Sequence, residues 1–79
     1  MRRIKMIWDF RGPNSKPTAG HHVIHLQEFV ANHKLPETIV EISEVNEMHT
    51  IAFLVIDETY MKMIRDRLKP HRGQLYISS

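Results

Sequence analysis

The sequence predicts an α+β domain of order βαββαβ, with a four-stranded antiparallel sheet in strand order 4-1-3-2 and two helices on one face. Three observations lead there. Apolar and polar residues alternate near the N-terminus. Two stripes of helical period are separated by extended segments. One strand-length run, Ile51 to Ile56, is apolar on both faces. The 79 residues are read as one domain, 1–79. A chain of this size buries only ~60% of the surface its unfolded form exposes, so its core is thin and a dimer would supplement it.

Arg3 to Phe10 reads as the first strand: Ile4, Met6 and Trp8 share one face, and Lys5, Ile7 and Asp9 the other. From Phe10 to Pro17 the chain is turn chemistry, with Gly12, Pro13, Asn14 and Pro17 each opposing continued pairing. Thr18 is placed to cap a helix on which Ala19, Val23, Leu26, Phe29 and Val30 recur at helical spacing, to roughly Lys34. Pro36 ends that segment. Glu37 to Val45 alternates for part of its length, and its charged face suits an edge strand.

Asn46-Glu47-Met48 connects to His49–Ile56, whose apolar character on both faces marks a central strand. Asp57 or Thr59 caps a second helix. Tyr60, Met61, Ile64 and Leu68 form its stripe, and Lys62, Arg65 and Lys69 its solvent side. Pro70 stops the helix, Gly73 marks a turn, and Gln74 to Ser78 is the last strand. Right-handed crossovers then place both helices on one face.

Composition excludes several functions. Without cysteine there are no disulfides, thiolate nucleophiles, iron–sulfur clusters or cysteine-based zinc sites. A divalent transition metal would have to be held by imidazole and carboxylate. A formal charge of +2 is too mild to imply a nucleic-acid partner. No apolar run approaches the ~20 residues of a membrane-spanning helix. Met1-Arg2-Arg3 is basic, but no apolar tract of a signal peptide follows, so a cytoplasmic location is expected. The three glycines, Gly12, Gly20 and Gly73, build neither a dinucleotide fingerprint nor a P-loop. His49 to Val55 also lacks the paired aromatics of an RNA-recognition motif.

Six histidines are the compositional oddity. In the predicted fold His21, His22, His25, His49 and His71 lie toward one pole and His33 toward the other. Asp9 ends the first strand at the same pole, with Arg11 beyond it. Asp9 with His25 or His49 is a candidate catalytic pair, the carboxylate orienting an imidazole for proton transfer. The competing account makes Asp9 a turn residue and His49 a strand-end polar group. Arg11, His22, His71 and Arg72 are candidate ligand-binding residues. Against this, His22 suits a core edge as a hydrogen-bonded, inert ring, and His71-Arg72 complement the preceding helix dipole. His21, His25 and Glu28 share a helix stripe and are candidate metal ligands. Ile24 stands where the helix-borne zinc motif has its glutamate, and a solvated face with Glu28 beside an imidazole explains the same spacing.

At the level of element order the chain resembles the ferredoxin-like superfamily. Within it, a strand ending in Asp9, a loop, and a helix carrying His25-Leu26 look like the YCII-related, dimeric α/β-barrel proteins. The chain is shorter than that pattern and lacks the Gly-Pro that usually follows the first helix region. The resemblance implies sheets paired face to face, with a ligand or a His–Asp pair held beside the sheet. The sequence independently points to a homodimer, because the third strand, with Ile7, Ile39 and Tyr76 beside it, would leave an apolar face that no helix covers. Lys5 and Glu41 lie on that face and are placed to pair. The expected function is a homodimeric domain binding a small molecule or partner. The alternatives are an enzyme using His/Asp acid–base chemistry and a His-based metal-binding protein.

Overall fold

In the computed structural model, which describes residues 2–77, the chain forms β1 (Arg3–Arg11), α1 (Ser15–His33), β2 (Ile39–Asn46), β3 (His49–Asp57), a short 3-10 turn (Glu58–Tyr60), α2 (Met61–Leu68) and β4 (Arg72–Tyr76). The four strands make one antiparallel sheet in order β2-β3-β1-β4, as expected, and the whole is consistent with a ferredoxin-like fold. Met1 and the proposed strand end at Ser78 lie outside the described residues.

Alternation along β1 decides what faces what. Ile4, Met6 and Trp8 join Ala52, Leu54 and Ile56 of β3 in a cluster with Ala19 and Leu26 of α1 and Ile64 of α2. The predicted stripes are the ones that pack: Val23, Phe29 and Val30 on α1, and Tyr60 of the 3-10 turn with Met61 and Leu68 of α2, close over this cluster. The opposite face carries Ile7, Ile51, Phe53 and Val55, with Ile39 and Tyr76 against them, and no helix above. These side chains are buried within the single chain partly because long polar residues lie across them. Lys5 Nζ sits 4.2 Å from the centroid of the Phe53 ring, and the Arg3 guanidinium 5.6 Å from that of Tyr76. Lys5 thus covers an aromatic ring, and it forms no ion pair with Glu41 among the described residues.

The start of β2 moves from Glu37 to Ile39, and the starts of α1 and β4 differ further from expectation. Helix α1 begins at Ser15, and Thr18, inside the first turn, donates its hydroxyl back to the Asn14 carbonyl at 2.8 Å. Pro17 does not delay the start, because the first-turn amide it lacks has no helical acceptor. Gly12, at φ +108°, turns the chain between β1 and α1 and donates its amide to the Met48 carbonyl at 2.7 Å. The buried Ser15 and Thr50 hydroxyls meet at 3.1 Å, joining the start of α1 to the start of β3. Strand β4 begins at Arg72, earlier than expected, because Gly73 pairs with Met6 within the ladder. A Cβ at Gly73 would come within 3.3 Å of the Met6 sulfur, so the position needs a small residue for packing.

Helix α2 is short and is pinned at its end by Trp8, whose indole Nε1 donates to the Leu68 carbonyl at 2.8 Å. Trp8→Phe deletes this bond and leaves a small cavity where the second ring of the indole packed. It is expected to lower stability by about 1–2 kcal/mol in chemical denaturation, with faster amide exchange in α2 than in β3.

Candidate functional site

The site follows from register. Asp9 lies opposite Ile51 of β3, and Ile7 lies opposite Arg72 of β4. His49 is two residues from Ile51, and Asp9 two residues from Ile7, so His49, Asp9 and Arg72 all project from the open face. Asp9, on a central strand, meets a diagonal neighbour from each side. His49 Nε2 is 2.8 Å from Asp9 Oδ1. Arg72 donates Nε to Oδ2 at 3.0 Å and its second terminal nitrogen to Oδ1 at 3.1 Å, a bidentate pairing.

Only 13% of the His49 side chain and 16% of Asp9 are exposed, whereas half of Arg72 faces solvent. The Arg72 hydrogen bonds, with lesser help from His49 and against the opposing effect of burial, hold the Asp9 carboxyl down at about 2. Asp9 is therefore an ionised acceptor at neutral pH, and His49 must donate its Nε2 proton. In the neutral ring that leaves a lone pair on Nδ1, which makes no hydrogen bond among the described residues. Arg11 stands directly across from His49 in the ladder and is exposed.

Behind Asp9 the main chain is held as well. Its amide donates to His71 Nδ1 at 2.8 Å, which requires that nitrogen to be unprotonated. His71 and Arg72 thus grip the same residue by backbone and by side chain. Sequence reasoning saw both as cations after a helix. The signal that would have found their role is the β1–β4 register, which puts Arg72 across from Ile7.

Of the candidate catalytic residues, Asp9 and His49 meet and His25 does not join them. Helix α1 packs on the other face of the sheet, so His25 lies away from Asp9 and is 74% exposed. Its Nδ1 is 3.6 Å from Glu28, itself 66% exposed, a solvated pair of helical neighbours. His21 is exposed on the same helix. The candidate metal set His21, His25 and Glu28 thus supplies one loose contact, and among the described residues no group of three or more His, Cys, Asp or Glu is arranged to hold a metal ion.

His22 is a core-edge ring, as the sequence suggested, but not a hydrogen-bonded one. It lies between Trp8, at a centroid distance of 4.8 Å, and Phe10, at 5.5 Å, and its Nε2 is buried without a partner. Burial, reinforced by the nearby His25 and His71, lowers its pKa. His22 therefore packs between two aromatic rings. Compared with known protein families, curated proteins and solved structures, the chain matches none at a significant level.

Two pH effects follow. A carboxyl whose folded pKa lies below its unfolded value stabilises the fold above the unfolded pKa and ceases to do so as pH falls through the folded one. Between pH 4 and about 2 the Asp9 contribution is accordingly lost. Asp9→Asn is expected to reduce stability at pH 7 by about 1–3 kcal/mol, and to flatten the remaining fall on acidification, measured as denaturation midpoints from pH 6 to 2. His22, also lowered, favours the fold when neutral and opposes it once protonated. His22→Phe is expected to diminish the loss of stability between pH 7 and 5, measured as denaturation midpoints.

Proposed function

We propose that the chain is a homodimeric binding domain that takes a small acidic ligand where Asp9, His49 and Arg72 meet on the open sheet face. The observation that carries this reading is the Asp9 carboxylate held between His49 at 2.8 Å and the Arg72 guanidinium at 3.0 and 3.1 Å, on the face without helices. A guanidinium has five N–H donors, and Asp9 engages two of those on Arg72, leaving the rest for a carboxylate or phosphate. His49 Nδ1 offers an acceptor to an O–H or N–H on the same ligand. Arg11 adds a second cation at the rim.

The resemblance to dimeric α/β-barrel proteins supports the homodimer, as does the apolar layer of Ile7, Ile51, Phe53 and Val55 on the open face. A second copy seated there would displace Lys5 from Phe53 and shield the ligand from water. The cysteine-free composition suits a reducing, cytoplasmic setting. None of the helices among the described residues is long and apolar enough to cross a membrane.

The 2.8 Å contact between His49 and Asp9 also favours a second reading, an acid–base enzyme. There Asp9 would hold the ring with Nδ1 outward as the proton acceptor, and Arg11 or Arg72 would anchor an anionic substrate.

Imidazole NMR tests the site. Asp9→Asn is expected to move the ring-nitrogen resonances of His49, whose Nε2 loses its carboxylate partner; unchanged His49 resonances would sink both readings. Succinate and inorganic phosphate are expected to move the amide resonances of Asp9, His49 and Arg72, and Arg72→Ala to abolish the response. Sedimentation at millimolar concentration checks the dimer, which a strictly monomeric mass would remove.

A further inference from the structure

The two edges of the sheet are built differently. The β2 edge is guarded: Glu41 and Glu44 are exposed, Glu47 follows in the turn, and a register shift between Glu44 and Asn46 breaks the ladder. Charge and bulges are the usual means of keeping an edge from pairing with another chain. The β4 edge has neither. Arg72–Tyr76 pairs with β1 in unbroken register, carries no acidic residue or proline, and turns its one charge toward Asp9. Leu75 and, just beyond the strand, Ile77 are exposed.

Beside this edge, on the helix side of the sheet, runs a groove of about 450 Å³ between β4 and α2. Ile4, Met6, Met61 and Leu75 supply its apolar lining, and Arg2 and Arg65 its charge. Among the described residues no carboxylate lines it. Arg65 makes no ion pair among the described residues, and Arg2 only a 3.7 Å contact with Glu58 between two well-exposed side chains. Arg72, on the strand itself, also lines the groove, its guanidinium engaged by Asp9.

We propose that the β4 edge and this groove form a docking site for an extended acidic peptide, which adds to the sheet as a fifth strand. Main-chain hydrogen bonds to the unpaired side of β4 would supply the affinity. Alternate side chains of the added strand would drop into the groove, and the others would stand over the open face. Arg2 and Arg65 select an acidic partner. A second copy of β4 is the poorer occupant, because it would bring the same cations to the seam. The edge shares Arg72 with the ligand site around Asp9, but the selecting cations of the groove, Arg2 and Arg65, lie outside that site.

The test uses the isotope-labelled full chain and a fluorescent heptapeptide of alternating leucine and glutamate. Saturable binding is expected, with shifted and exchange-protected amides from Gly73 to Tyr76. Arg65→Glu and Leu75→Glu, both at exposed positions, are each expected to weaken it by about tenfold. The same peptide N-methylated at alternate amides is expected not to bind. Absence of binding to the unmodified peptide overturns the proposal, as do shifts confined to β2 or the open face. Equal binding of the N-methylated peptide also overturns it. So does a response at the groove to decanoate alone, which would mark a site for small amphipathic anions, or protection of β4 by self-association without peptide.

Discussion

Antiparallel pairing of β1 with β3 on one side and β4 on the other sends Ile4, Met6 and Trp8 under the helices and leaves Ile7, Asp9 and Arg11 on the open face. Because side chains alternate with a period of two, a slip of one residue would exchange the two sets. The core would lose its indole and gain a carboxylate. Burial of the helix-side set therefore enforces the register, and the register places Asp9 beside His49 and Arg72. The polar cluster is a consequence of hydrophobic alternation along the same strand.

The cluster in turn stabilises the sheet. Asp9 ties three strands together at this end: its own β1, His49 at the start of β3, and Arg72 at the start of β4, with His71 holding its amide. A carboxylate with that many donors is costly to leave unpaired, so structural and chemical roles coincide there. What distinguishes the site from an ordinary surface ion pair is exposure. Asp9 and His49 are mostly shielded, while Arg72 and Arg11 still reach solvent.

The histidines show how differently one residue type is used. His49 donates to a carboxylate, His71 accepts from a main-chain amide, His22 fills a gap between Trp8 and Phe10, and His25 lies in solvent beside Glu28. Their gathering toward one pole follows from topology, yet the sheet divides them. His49 stands on the open face, and His22 and His25 belong to a helix packed on the other. Proximity along the pole is therefore not proximity in a site.

Element order, strand order and helix stripes were legible in the residues themselves, because period, turn chemistry and crossover handedness are local or general rules; a pairing of Asp9 with His25 or His49 was only a candidate beside a reading of Asp9 as a turn residue. Choosing His49 over His25 was not legible, since that depends on which face of the sheet each side chain leaves, and a single residue of register reverses it. The start of α1 at Ser15 was likewise hidden, because tertiary contacts such as the buried Ser15–Thr50 pair contribute there beyond local propensity. The grip of Arg72 on Asp9 and the roofing of Phe53 by Lys5 join residues distant in the chain. Only the assembled sheet brings such partners within a few ångströms, and so only tertiary structure decides which of several candidate charges meets which.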